Sequence, residues 1–263
     1  MSLDTTPVRS EVEVEVGHNL DPREMALEGI VNFRDIGGLQ TRDGGVVRTG
    51  RIFRSDALHT LTAVDIDRLA GLHIATLIDL RTLDEIARSG PSPLTRGGTR
   101  VVHAPVMDVD ASPRMLEDKP LAEMYADFLL VGKGAFRTIF EAIDEQDELP
   151  AVIHCAAGKD RTGVTIALLL RVLDVPDEAI VADYAITDRN MARMIEGWKR
   201  SNPRPAAGEE ATRIPEQLIR ATPDTMEVFL VALDATHGSA EGYLRSVGVT
   251  NDQLDRLRGN LLV

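Results

Sequence analysis

The chain has 263 residues, with 29 Lys plus Arg against 42 Asp plus Glu and a formal net charge of −13 at pH 7. A chain of this length buries a full core, and one α/β domain is expected rather than two. Such acidity argues against nucleic acid as a partner, since phosphate backbones are bound by basic surfaces. No 18-residue apolar run is present to serve as a transmembrane segment. One cysteine, Cys155, excludes an internal disulfide and fits a reducing compartment. Residues 1–27 read as a partly loose tail, with charge and apolar residues alternating from Glu11 to Val16 and no signal-peptide pattern. The expected location is cytoplasmic, or secreted without a recognisable signal peptide.

Taken in chain order, residues 32–38 are turn-rich, with Asn32, Asp35 and the pair Gly37-Gly38 permitting unusual backbone angles. This segment either braces a sheet or lines the rim of a pocket through Arg34 or Asp35. Residues 62–70 read as a helix, with Thr62 and Asp65 in a capping arrangement and Gly71 ending it. A strand over 74–79, a short helix over 83–88 and a strand over 100–104 follow. Helices are expected near 121–131 and 135–146, then a buried strand through Ala151-Val152-Ile153 and a buried helix over 164–173. Helices over 177–187 and 189–200, a looser stretch over 201–214, and helices near 225–236, 240–246 and 252–262 close the chain. Alternating strands and helices predict a central, mostly parallel sheet with helices on both faces. Met191, Met194, Ile195 and Trp198 recur at helical spacing. They mark either core contacts or a movable helical lid over about 184–223, which would shield the cysteine and select substrates.

The chemistry concentrates in His154-Cys155-Ala156-Ala157-Gly158-Lys159-Asp160-Arg161-Thr162-Gly163. Between a buried strand and a helix, this loop directs successive backbone N–H groups inward, and the helix N-terminus adds positive partial charge. A thiol attacks as its thiolate, which a helix terminus, Arg161, Lys159 and loop amides together favour. The Arg161 fork can donate two parallel bonds to phosphate oxygens. Thr162 carries a hydroxyl proton that could be given to the sulfur when the thiolate leaves. A lone cysteine after a buried strand is more often an inert small hydrophobe, but the spacing of Gly158, Arg161, Thr162 and Gly163 converges on one anion site. A nucleotide-binding P-loop fails, because it requires Gly where Ile153 stands and Ser or Thr where Asp160 stands.

The loop resembles the HCxxGxxR(S/T) signature of protein tyrosine and dual-specificity phosphatases. Its Lys-Asp pair is similar to the bacterial and fungal tyrosine/serine phosphatases with HCxxGKDRTG loops, some of which also act on phosphoinositides. Residues 32–38, the Gly50-Arg51-Ile52-Phe53-Arg54-Ser55 run, Asp79-Leu80-Arg81 and the segment 238–244 extend the resemblance over residues 28–263. It implies a tyrosine-phosphatase-like α/β domain with Cys155 as nucleophile, Arg161 as oxyanion clamp, and Ala156, Ala157, Gly158, Lys159, Thr162 and Gly163 around the phosphate. The acid lies on Asp108 or Asp110 if it sits on an upstream loop, as in common tyrosine phosphatases. The Lys-Asp family instead places it within the loop, at Asp160, which is favoured because that position must lie close to the phosphate. Asp160 also suits a helix N-cap.

His154 is expected to order the loop. Asp79, at the C-terminal end of a parallel strand, orients Lys159 or Arg161, or forms a surface salt bridge with Arg81. Six scattered histidines give no metal-ligand spacing, so neither metal nor cofactor is expected. The expected activity is metal-independent hydrolysis of phosphate monoesters on a phosphorylated protein or a phosphoinositide. Phosphotyrosine leads, and phosphoserine/threonine or phosphoinositides are companions. The rivals are a non-catalytic phosphate-recognition module and a rhodanese-like sulfurtransferase.

Overall fold

The computed structural model describes residues 21–107, 119–201 and 219–263. Five strands form one sheet: β1 (Arg34–Asp35), β2 (Ile52–Ser55), β3 (Thr76–Asp79), β4 (Arg100–His103) and β5 (Ala151–His154). Their order is β1-β2-β5-β3-β4, parallel throughout except for the antiparallel β1–β2 pair. Strands β2, β3 and β5 are buried at all four positions, as parallel strands covered on both faces must be. The period-two alternation then divides their side chains between two cores. Phe53, Leu77 and Val152 face a smaller cluster with Leu27, Ile30, Phe33, Leu58 and Leu69. Ile52, Ile78 and Ile153 face the larger one, which the remaining helices fill.

Helix α1 (Ala63–Ala70) begins with the reciprocal Thr62–Asp65 capping box that the sequence pattern predicts. Helix α2 (Leu83–Ser89) begins the same way, with Thr82 and Glu85. On the far side of the sheet lie α3 (Leu121–Val131), α4 (Lys133–Ile143), α5 (Asp160–Val172) and α6 (Asp177–Ser201), followed by α7 (Pro223–His237), α8 (Ala240–Ser246) and α9 (Asn251–Leu261). Helix α5 is buried on nearly every face, which matches its unbroken apolar sequence. The architecture is α/β, a mostly parallel central sheet flanked by helices. Among the described residues, no helix is long and apolar enough to cross a membrane.

Three expectations change. The stretch 177–200 is one helix rather than two, because Asp188 does not interrupt it; its carboxylate faces Arg220 and the Ala221 N–H instead. The run Ile52–Ser55 is a central strand, although its mixed apolar and polar residues show no strand period. Residues 21–27, the last of the partly loose tail, are tied down. The Met25 N–H donates to Phe33 O, the Asp35 N–H donates to Arg23 O, and Leu27 is buried. The 11–16 alternation, Asp108 and Asp110, and most of the loose stretch after 201 lie outside the described residues. Within the 184–223 stretch, Tyr184, Met191 and Met194 are buried.

Ile153 sits at the centre of the sheet, fully buried, directly behind the cysteine. Truncation as Ile153→Ala should cost about 2–5 kcal/mol, read as a lower urea midpoint at unchanged m-value.

Candidate active site

The loop from Cys155 to Lys159 leaves the C-terminal end of β5, the central strand, and enters α5. Its backbone is shaped by groups outside it. The Ala57 N–H donates to Ala156 O at 3.0 Å. Asn32 Nδ2 donates to Ala157 O at 3.0 Å and to Gly158 O at 3.3 Å, and the Arg54 guanidinium donates to Gly158 O at 2.8 Å. Three successive carbonyls are thus drawn outward. A trans peptide is planar with its N–H opposed to its C=O, so the N–H groups of Ala157, Gly158 and Lys159 turn to the inner side. Gly158 is required here. Its φ is +64°, and a Cβ would stand 2.4 Å from Ser55 O.

Behind the loop lies a buried ionic cluster. Arg34 and Arg54 are almost wholly enclosed, and both bind Asp183 of α6, as does Arg23. Arg34 also donates to Asn32 Oδ1 at 2.5 Å, and Asp56 accepts the Asn32 N–H at 3.1 Å. Each side chain that grips the loop is therefore itself held. Burial disfavours the Asp183 carboxylate, but Arg34, Arg54 and Arg23 outweigh it and hold this carboxyl below its usual range. Burial and the neighbouring Arg54 bring Arg34 down to about 10. The Asp56 carboxyl rises to about 6, through burial against its backbone bonds.

Cys155 is buried, with 2% of its surface exposed. Arg161 lies in the first turn of α5. Its fork is bound bidentately by Glu85, at 2.6 and 2.7 Å, and one nitrogen also reaches Leu80 O at 3.3 Å. Burial would raise the Glu85 carboxyl, yet the Arg161 bonds prevail and lower it. Thr162 is fully buried, and its hydroxyl makes no hydrogen bond among the described residues. Lys159 is also buried; its ammonium donates to Arg220 O at 3.0 Å and lies 3.3 Å from Asp160 Oδ1. Asp160 is partly exposed, and its Oδ1 accepts the Tyr125 hydroxyl at 2.7 Å. A cavity of about 220 Å³ opens beside Ala156, toward Arg81, Glu85 and Arg88.

Several sequence expectations need correction. Asp79 touches neither Lys159 nor Arg161. It forms a pair with Arg81 at 2.6 Å that is buried rather than on the surface, and Glu85 takes the role of holding Arg161. Arg34 does not line a rim; it is fully buried behind the loop. Asp35 turns away from the pocket and accepts the Gly37 and Gly50 N–H groups at 2.8 and 2.6 Å. Asp160 is the first residue of α5, not its cap. His154 is buried, 3.8 Å from Asp79, and burial brings its pKa down to about 4, so the imidazole is neutral near pH 7. Asn32, Arg54, Asp183 and Glu85 were not singled out as site residues from sequence. Only Glu85 carried a local signal, the Thr82-to-Glu85 capping pattern.

A cysteine that opens a loop of inward-turned amides, followed by a helix N-terminus with an arginine in its first turn, defines an α/β protein that handles phosphoryl groups. Comparison with known proteins narrows this. The tyrosine phosphatase family matches residues 25–263, and the chain belongs to it. It is 34% identical over 220 residues to a tyrosine-protein phosphatase of Nostoc commune, covering 79% of this chain and 73% of the relative. It is 28% identical over 276 aligned residues to the triple specificity protein phosphatase PtpB of Mycobacterium tuberculosis, covering 90% and 98%. The core catalytic domain of the S. cerevisiae PP-IP phosphatase SIW14 aligns with TM-score 0.39 and 14% identity, over 68% of this chain and 98% of that one. The protein is a phosphatase of the protein-tyrosine-phosphatase type, acting on phosphorylated substrates.

Asp183→Asn should destabilise the fold by about 3–5 kcal/mol, since it leaves buried arginines without their carboxylate; urea denaturation would measure it. Glu85→Gln keeps the capping box but removes the charge that aims Arg161. It should lower kcat/KM on the order of 10²-fold by misplacing the fork, with melting temperature nearly unchanged.

Proposed function

We propose that the protein hydrolyses phosphate monoesters in two steps through a cysteinyl phosphate, without a metal. The observation that carries this reading is the loop itself: its carbonyls are pinned outward, its amides turn inward after Cys155, and Arg161 in the first turn of the following helix is held by Glu85. Cys155 attacks phosphorus as the bond to the leaving oxygen breaks. Arg161 and the amides of Ala157, Gly158 and Lys159 hold the equatorial oxygens, bonds that strengthen as the transition state forms. Ala156 and Gly163 shape the two ends of the cradle. Asp160 protonates the leaving oxygen; water then cleaves the sulfur–phosphorus bond, with Asp160 accepting its proton. The unpartnered Thr162 hydroxyl is free to donate to the departing thiolate.

Phosphotyrosine is the leading substrate, with phosphoserine/threonine or phosphoinositides as companions. The description of the M. tuberculosis relative as triple specificity supports such breadth. Residues 28–263 serve as the phosphatase domain. The sulfurtransferase reading has no support in a loop that presents Arg161 and Asp160 together, and a recognition module has no use for an acid.

Purified protein should release phosphate from an aryl phosphate in excess EDTA and be blocked by vanadate. Cys155→Ser should lower kcat at least about 10³-fold, as loss of a nucleophile does. Full turnover in that variant would refute the mechanism.

A further inference from the structure

Two buried tyrosines approach Asp160 from helices that the mechanism above does not use. Tyr125 on α3 is fully buried and donates its hydroxyl proton to Asp160 Oδ1 at 2.7 Å. Its oxygen lies 2.6 Å from the hydroxyl of Tyr184 on α6, which is 1% exposed. With the Tyr125 proton committed to Asp160, Tyr184 is the donor in that second bond. Neither ring has room to turn away. Tyr125 packs edge-on to Tyr184 and Phe229 and stacks on Phe128, with ring centroids 5.8 to 6.2 Å apart. A Cβ on Gly163 would stand 3.0 Å from the Tyr184 ring, so this glycine of α5 makes the space that lets Tyr184 reach across. Burial, and then the Asp160 charge, raise both phenols well above their usual range. Both therefore remain protonated donors at any working pH.

We propose that Tyr184 and Tyr125 form a donor chain that positions Asp160 and fixes which of its oxygens carries the proton. The chain rests on the reading of Asp160 as general acid and base. Oδ1 faces Tyr125 and the Lys159 ammonium, so the transferable proton resides on Oδ2, the oxygen left for the substrate. In the first step the sulfur–phosphorus bond forms as the phosphorus–oxygen bond breaks. The electron pair stays on the leaving oxygen, which takes the Oδ2 proton. Negative charge then develops on the carboxylate, and the Tyr125 bond to Oδ1 becomes charge-assisted and stronger. An interaction that strengthens along the reaction lowers the barrier. In the second step water cleaves the sulfur–phosphorus bond, the thiolate of Cys155 is released, and the water proton returns to Asp160.

Among the described residues, the other charged groups around Asp160 are Lys159 beside it and Arg161 on its own helix. Behind Tyr184, Arg54 and Asp188 contribute with opposite signs. Tyr125 and Tyr184 are positioning residues, since neither meets the phosphate.

The test is kcat/KM against pH for Tyr125→Phe, Tyr184→Phe and Asp160→Asn, on aryl phosphates of graded leaving-group basicity. Tyr125→Phe is expected to slow phenyl phosphate by about tenfold or more, as loss of a hydrogen bond to a charged group does. It should slow a dinitrophenyl ester much less. Tyr184→Phe should act in the same direction more weakly. Added to Asp160→Asn, Tyr125→Phe should bring no further leaving-group dependence. A Tyr125→Phe enzyme with wild-type leaving-group dependence, where Asp160→Asn has lost its alkaline limb, overturns the donor chain and leaves Asp160 as the acid. An equal loss on all esters marks a merely structural role and also overturns it. If Asp160→Asn itself keeps both properties, the acid assignment fails and the chain falls with it. Should Tyr125→Phe melt early, Tyr184→Phe carries the same comparison.

Discussion

The site depends on three loop carbonyls being held facing away from it. A peptide of this composition has no intrinsic reason to aim successive N–H groups at one point, since each residue would otherwise satisfy its amide locally or in water. Ala57, Asn32 and Arg54 supply that reason by capturing the oxygens of Ala156, Ala157 and Gly158. Planarity does the rest. The loop is thus shaped from behind, by groups on the side away from its amides.

This arrangement explains the placement of so much charge in the interior. Arg34 and Arg54 are buried at a desolvation cost that only close pairing can offset, and Asp183 gives both a partner. The result is a rigid ionic wedge between β1, β2 and α6. On the open side the logic differs. Glu85 holds Arg161 with two bonds while leaving the guanidinium partly exposed, so the cation is aimed without being sealed off. The net charge of −13 does not oppose a phosphate ligand, because screening confines distant charge to about 8–10 Å and the loop offers its own amides and the Arg161 guanidinium.

The sequence makes the chemical half of this site legible and leaves the architectural half hidden. Cys155, Asp160, Arg161 and Thr162 are read together because one loop and the first turn of one helix carry them. The helix caps at Thr62 and Thr82 are legible for the same reason: their partners stand three residues away. For Asp79 the sequence leaves two partners open, and the carboxylate meets the nearer guanidinium, that of Arg81. Asn32, Arg54, Glu85 and Tyr125 act across the fold on partners far along the chain, and no local period records where a side chain ends in space. The strand β2 escapes notice because two of its four residues, Arg54 and Ser55, are polar, spent on the loop rather than on the core.

The separations involved have a kinetic meaning. Asn32 reaches Ala157 over 125 positions, Arg54 reaches Gly158 over 104, and Arg34 reaches Asp183 over 149. Contacts of such high order close large loops of disordered chain before they return any stabilisation, and they slow folding. The cradle is consequently completed only once the sheet has zipped and α6 has docked on it. A nascent chain that has already exposed its cysteine loop lacks the partners that pin it, and Cys155 acquires its setting together with the fold.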